Sequence, residues 1–463
     1  MSDNFIQNLL AILGTEKVLF GEELASRYTH IWHMDKPLVA KAVLLPTSTQ
    51  DVAACLKFCN EHEQSVVVHG GLTNLVGGTN TLQSDVVISL EKMNKIIEID
   101  TESRTVSVEA GAILENLHTA VNEHDLMFPL NFGAKGSAQI GGMISSNAGG
   151  LRVLRFGMTR HLVLGLEAVL ADGTIMSSMK KIIKDNSAYD LKQLFIGSEG
   201  TLGIVTKAVL KLVEAPKSRC SAFVAFNAYD KVVGFLRYID QGLTGLLSGY
   251  ELIWKDTYEQ MISPKHVTAP LPSTYKLYVL FESLGSNQIE DQMKMERLLE
   301  TAINENYILD AAPAQDRSQL NSFWNIREDV HVIKSTCTID QHFDISLPIR
   351  DIGAYVDETL LKLRKIDGVQ QAYAFGHIAD GNIHFIVDKE NHDDSLRKEI
   401  NTAVYTPLQA MHGSVSAEHG IGQDKRDYLK LCRTGEEIQL MRLLKKTLDP
   451  KSILNNRLIF KES

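Results

Sequence analysis

A chain of 463 residues is too long for one ordinary hydrophobic core and predicts two or three domains. Its 44% hydrophobic and 22% charged residues are those of a soluble globular protein. A formal charge of −10 without any basic block argues against nucleic acid as the main partner, and no apolar run approaches the ~20 residues that a membrane helix needs. Met1-Ser2-Asp3-Asn4 lacks the pattern of a signal or transit peptide. Five cysteines form no C-x-x-C, and buried thiols are expected at Cys55 and Cys59. The expected setting is a reducing cytoplasm, or the periphery of an inner membrane.

In chain order, Ala42 to Leu45 reads as a short strand, Asp51 to His62 as a helix and Val66-Val67-Val68 as a buried strand. The last runs into Gly70-Gly71-Leu72-Thr73-Asn74-Leu75-Val76-Gly77-Gly78. Glycines so spaced let backbone N–H groups converge on an anion, a phosphate or pyrophosphate, although a plain surface loop reads similarly. The loop fits neither the P-loop, having no Gly-Lys-Ser/Thr, nor the nicotinamide fingerprint G-x-G-x-x-G. Strands follow at Val86 to Leu90, Ile96 to Ile99 and Thr105 to Glu109, and Ile113, Leu117 and Val121 recur at helical spacing. A second block of small residues runs from Pro129 through Gly136, Ser137, Gly141 and Gly142 to Asn147, Gly149 and Gly150. It cannot fill a core alone and must wrap around a helix or a cofactor. A strand from Leu164 to Leu170, the turn Ala171-Asp172-Gly173, and Gly197 to Thr206 complete this half.

After a break near Glu214-Ala215-Pro216 the pattern alternates strand and helix: Ser221 to Phe226, Tyr229 to Ile239, Lys276 to Phe281, Gln288 to Asn304. Phe323 to His331 reads as a helix with Arg327 and His331 on one face at i and i+4, and His342 to Pro348 as a strand. Gly376 to His384 places Asp380-Gly381 between apolar runs, a strong hairpin signal. A two-residue loop there pairs 379 with 382 and 377 with 384, setting His377 opposite His384 with Cβ atoms ~5 Å apart. Two imidazoles so placed can bind one metal, and Glu418 completes a His₂Glu set of the catalytic zinc kind. Two solvated histidines on a hairpin are the plain alternative.

Taken together, the 69–78 loop, the 136–150 block, Arg155-Phe156-Gly157, Ala171-Asp172-Gly173, Gly197 to Thr206, Gly376 to His384 and Ser416 to Gly422 resemble the FAD-linked D-2-hydroxy acid dehydrogenases. These are the D-lactate, glycolate and D-2-hydroxyglutarate enzymes of the vanillyl-alcohol-oxidase type. The resemblance spans most of the chain in the family's order. It implies an α+β fold: a FAD-binding domain of two α+β subdomains over 1–216, an α+β substrate domain over 217–415 and a C-terminal segment over 416–463 that returns to the FAD domain. Carried over by position, Gly70, Gly71, Leu72, Thr73, Asn74, Gly77 and Gly78 would cradle the pyrophosphate. Pro129, Gly136, Ser137, Gly141, Gly142 and Asn147 would line the dinucleotide, Ile204 and Val205 would meet its adenine side, and Asn455 would add a contact from the tail. The superfamily's covalent histidine usually follows the loop glycines, whereas His69 precedes them, so FAD is expected to be non-covalent.

The implied reaction is oxidation of a small 2-hydroxy acid. The metal, Zn or Mn, falls to His377, His384 and Glu418, the base to His419, and the substrate carboxylate to Arg327. The sequence departs from the 2-hydroxyglutarate branch at three positions that serve a second carboxylate: His331 stands for the usual Thr, His342 for Lys and Ile386 for Asn. Asn455-Asn456-Arg457-Leu458 likewise replaces Asn-Pro-Gly-Lys. The expected electron acceptor is an electron-transfer flavoprotein or a quinone, and a homodimer is a further expectation. An aldonolactone oxidase or ether-lipid synthase on the same fold, or a non-catalytic flavin-binding protein, remain as alternatives.

Overall fold

The valine runs at 66–68 and 86–87, apolar on both faces, lie side by side as parallel strands of a small sheet. A computed structural model describes residues 2–32, 34 and 36–461; Met1, His33, Asp35, Glu462 and Ser463 lie outside them. The chain divides into two compact units. The first comprises Met1–Gly150, Gly157–Ala215 and Glu418–Ser463, the second Leu151–Phe156 and Pro216–Ala417.

In the first unit, β1 (Val18–Leu19), β2 (Ala42–Leu44), β3 (Val66–His69) and β4 (Val86–Ser89) form a sheet of order β1-β2-β4-β3. The helix Thr49–Glu61 starts where the Ser48 hydroxyl accepts the Asp51 N–H, and it buries Cys55 and Cys59. A second sheet contains β5 (Ile96–Asp100), β6 (Thr105–Glu109), β8 (Val163–Val169), β9 (Ile175–Ser178) and β10 (Ile204–Lys211), in the order β5-β6-β10-β8-β9. The β8–β9 link is the Asp172-Gly173 turn, with Gly173 at φ +87°. β7 (Leu126–Met127) and β11 (Val213–Glu214) pair alone. The C-terminal tail runs along β3: the Val66 N–H donates to the Ile453 carbonyl and the Asn455 N–H to the Val66 carbonyl.

The second unit is built on a seven-stranded antiparallel sheet. Its strands are β12 (Ser218–Phe226), β13 (Leu247–Trp254), β14 (Leu277–Gly285), β15 (Asp310–Pro313), β16 (Ile339–Ser346), β17 (Val369–His377) and β18 (Asn382–Lys389), in the order β15-β12-β14-β13-β17-β18-β16. Both faces are covered, which is why β13 is buried along its whole length instead of alternating. The helix Tyr229–Leu243 packs Phe235 against Phe226, Tyr250 and Phe281 on one face. On the other, the helix Arg317–Glu328 contributes Phe323 and Trp324 to a cluster with Phe223, Tyr258, Tyr278, Phe375 and Ile386. The same face carries Glu251, His377, His384 and Asp344, because side chains two apart share a face and the register sets 251 against 377 and 384 against both 375 and 344. Among the described residues no helix is long and apolar enough to cross a membrane.

Candidate active site

The glycine loop is pinned at both ends. His69, wholly buried, hydrogen-bonds the Thr79 carbonyl through Nε2 at 2.9 Å, and burial pushes its pKa down to about 4. The Asn74 side chain accepts the N–H groups of Val76 and Gly78, and the Ile31 N–H donates to the Leu72 carbonyl. The glycines here do two different jobs. A Cβ on Gly71 would stand 1.9 Å from the Ser137 carbonyl oxygen, so Gly71 lets the loop pack against the 136–142 block. A Cβ on Gly142 would meet no protein atom within 4 Å. Between them Gln139 carries a buried Oε1 with no hydrogen-bond partner, 3.6 Å from the Cβ position of Gly70. An open glycine surface suits close approach of a cofactor's phosphates to backbone N–H groups, and the unmatched Gln139 oxygen suits a donor on the same cofactor, such as a hydroxyl.

The other residues expected around the dinucleotide are placed as follows. Pro129 is buried, and Gly136 is exposed. Asn147 caps the helix Ile140–Ser146 in the left-handed region and accepts the Arg160 N–H. Ile204 and Val205 are packed in the core of the first unit. Asn455 is buried with both side-chain ends engaged: Oδ1 accepts the Val68 N–H at 3.0 Å and Nδ2 donates to the Glu199 carbonyl at 2.7 Å. It ties the tail to the strand that feeds the glycine loop.

The hairpin register differs from the expected one. His384 pairs with Phe375, not His377, and residues 378–380 form a 3-10 turn closed by Gly381 at φ +85°. The turn is longer than Asp380-Gly381 because Ile378 is buried and draws the chain inward. His377 is thereby a diagonal neighbour of His384 on the same face. Their ring centroids are still 5.3 Å apart, at 87° to one another. His377 Nδ1 lies 2.6 Å from Glu251 Oε1, and His384 Nδ1 lies 3.8 Å from Asp344 Oδ1. Both carboxylates are fully buried. The carboxyl of nearby Asp380 is pushed up to about 6, chiefly by desolvation.

Arg327 is 5% exposed, its guanidinium carbon 4.7 Å from the centre of the Phe375 ring. Nε donates to Glu251 Oε2 at 2.9 Å. Nη2 is 2.8 Å from the same oxygen but off the hydrogen-bond direction, so it counts as an ion-pair contact while its N–H groups stay unmatched. Asn382 Oδ1 is a second buried polar atom without a partner, at the foot of the hairpin. The shared helix face expected for Arg327 and His331 does not exist: the helix ends at Glu328, Asp329 leaves it at ψ 71°, and the exposed His331 opens a separate turn, His331–Lys334. His342 is bonded through Nε2 to Asp340, whose carboxyl this holds well below the usual range. Ile386 opposes both His342 and Tyr373 and is buried in the apolar cluster.

Glu251 escaped the sequence reading. It lies 126 residues from His377, inside a strand whose neighbours Tyr250 and Leu252 are as buried as it is. The available signal was the one charged residue of a fully buried strand, where a charge requires a partner. Burial opposes its ionisation, while His377 and Arg327 draw its pKa down, and the net direction is downward.

Glu418 and His419 belong to the first unit, with Glu418 Oε1 2.8 Å from the Cβ position of Gly149. Just beyond them, Glu199 accepts the N–H groups of Ile421 at 2.7 Å and Gly422 at 2.8 Å. Ala417, the last residue of the second unit, donates its N–H to Asp344 at 3.1 Å.

Two family models match the chain. Residues 40–178 match the FAD binding domain family, and residues 215–459 the C-terminal domain of FAD linked oxidases. p-Cresol methylhydroxylase shares the fold at a TM-score of 0.76 and 15% identity, covering 99% of this chain and 97% of that one. The 4-ethylphenol oxidase of Gulosibacter chungangensis does so at 0.74 and 18%, with the same coverage. The protein is therefore an FAD-binding oxidoreductase with the α+β vanillyl-alcohol-oxidase fold. The mitochondrial D-2-hydroxyglutarate dehydrogenase of Arabidopsis thaliana is 36% identical over 445 residues, 96% of this chain and 79% of that protein. The D-2-hydroxyglutarate–pyruvate transhydrogenase of Saccharomyces cerevisiae is 34% identical over 456, covering 96% and 92%. The chain belongs to the family of FAD-linked D-2-hydroxy acid dehydrogenases.

Proposed function

We propose that the protein oxidises a D-2-hydroxy acid to the 2-oxo acid with FAD and a divalent metal. One observation carries this reading: on a single sheet face two imidazoles meet, and a buried arginine presents an unmatched Nη2. FAD, when bound, supplies the hydride acceptor at flavin N5. A Zn or Mn ion held by His377, His384 and Glu418 would lower the pKa of the substrate hydroxyl in the sense in which it lowers that of water. Arg327 binds the 1-carboxylate. Its guanidinium is planar and permanently charged, and Glu251 leaves it donors to spare.

His419 takes the hydroxyl proton in this reading. Its placement is supported by chain continuity: Ala417 is held on Asp344, and two further residues extend at most ~7 Å. Glu199 restrains the far side of the same stretch through Ile421 and Gly422. The electron acceptor is an electron-transfer flavoprotein or a quinone. For the substrate's far end, Ile386 in its apolar cluster and His342 held by Asp340 favour a modest side chain, with the dicarboxylate as close second.

The test is a metal assay on the purified yellow protein, followed by a screen of D-2-hydroxy acids with an artificial dye acceptor. One zinc or manganese per chain and turnover of a D-2-hydroxy acid support the reading. Metal-free protein that oxidises these acids at full rate refutes the metal's role.

A further inference from the structure

Glu251 touches both halves of that proposed chemistry. It sits on β13 opposite His377 on β17, fully buried, and it uses its two oxygens separately. Oε1 lies 2.6 Å from His377 Nδ1, while Oε2 accepts Arg327 Nε at 2.9 Å. Resting on the reading above, we infer that Glu251 is a positioning residue that couples the metal ligand to the substrate-binding arginine.

On the histidine side, an ionised carboxylate against Nδ1 keeps the proton there and leaves Nε2 with its lone pair for a metal. Such an outer partner fixes the ring's tautomer and orientation and raises its basicity as a ligand. On the arginine side, Glu251 occupies the Nε edge of the guanidinium while Phe375 lies under its plane. The edge left for a substrate carboxylate is then the one formed by the two Nη groups. A carboxylate required only to neutralise Arg327 has no need of the second bond to His377. Strand pairing makes the arrangement specific, because the neighbouring positions 250 and 252 point to the opposite sheet face.

Glu251→Ala removes both contacts. Glu251→Gln keeps the shape but has one oxygen for two donors, so it satisfies one side and opposes the other. Zn²⁺ affinity is read by chelator competition on the purified flavoprotein. KM is read with D-lactate or D-2-hydroxyglutarate, whichever the parent oxidises better. Glu251→Ala should weaken Zn²⁺ binding by ~10–100-fold. It should also raise KM by about tenfold or more, the worth of a lost hydrogen bond to a charged group. Glu251→Gln should shift one of these two quantities and spare the other. Flavin absorbance and thermal melting check that each variant is folded, and Glu251→Asp, too short to span both partners, serves if the alanine variant is not.

Unchanged Zn²⁺ affinity and KM in folded Glu251→Ala, or in folded Glu251→Asp if that variant serves instead, overturn this inference. His384→Ala separates the two readings. If it loses Zn²⁺ while the Glu251 variants behave as the parent, only the coupling is wrong. If it binds Zn²⁺ as the parent does, the metal site falls and the coupling with it.

Discussion

Asp344 accepts the backbone N–H of Ala417 at 3.1 Å, from a carboxylate with no solvent exposure. The same side chain takes the Asn382 amide at 2.8 Å and faces the Ser416 hydroxyl at 3.4 Å. One buried acid therefore holds the hairpin and the residue that leads directly into Glu418-His419. Asp344→Ala leaves these donors unmatched, at ~1–3 kcal/mol for each buried group. It should lower kcat by about 10²-fold, the effect of a small misplacement of a catalytic group. Stopped-flow reduction of the bound flavin measures this; a parent rate would remove Asp344 from the positioning of this stretch.

The glycine loop yields two variants with different signatures. Gly71→Val forces a side chain into the Ser137 carbonyl, so it should both destabilise the flavin-free protein and purify colourless. Gly142→Val meets no protein atom at its Cβ and should weaken FAD binding while leaving the melting temperature of the flavin-free protein in place. A fully yellow Gly71→Val would refute the cradle.

Acid should weaken the same region through His69. Its folded pKa, about 4, lies below the ordinary 6.5, so the native state binds fewer protons than the unfolded state between these values. The stability it protects is fully present above pH 6.5 and falls as pH drops towards 4, by about 3 kcal/mol in all. His69→Gln can keep a donor for the Thr79 carbonyl and should flatten this part of the pH dependence. Urea midpoints of parent and variant at pH 7 and 4.5 make the comparison.

Much of this architecture was legible because it rests on local signals. The valine runs, the Asp172-Gly173 turn and the hairpin at 380–381 announce themselves in consecutive residues. The hairpin's register did not, since it depends on the burial of Ile378, a tertiary effect. The break between Arg327 and His331 was equally hidden: Glu328-Asp329-Val330 contains neither Gly nor Pro, and nothing local stops the helix there. Glu251 could be found only by pairing strands far apart in sequence, which periodicity cannot do.

His377→Ala and His384→Ala should lose metal and activity together while the flavin spectrum stays. His419→Ala should keep both metal and FAD and lose ~10²–10⁴-fold in turnover. In the parent the rate should rise with pH through the base's pKa and flatten in the variant. Loss of metal from His419→Ala would exchange its role with that of a ligand.

Substrate choice sets the relatives' names against two side chains. Those names point to a five-carbon dicarboxylate. Ile386 offers no hydrogen bond, and His342 is already bonded through Nε2 to Asp340, which stays ionised throughout the physiological range. A second carboxylate therefore gains little from His342, and D-2-hydroxyglutarate should not outrun a shorter acid by tenfold at pH 6 or pH 8. Arg327→Ala, which removes the proposed partner of the 1-carboxylate, should cost roughly 2–5 kcal/mol, or about 30-fold to several thousand-fold in kcat/KM, for every acid alike. Measuring kcat/KM for D-lactate, a longer D-2-hydroxy acid and D-2-hydroxyglutarate at both pH values decides the matter. A tenfold lead for D-2-hydroxyglutarate at both would mean that the far carboxylate is bound without His342, and the exposed His331 is then the next residue to replace.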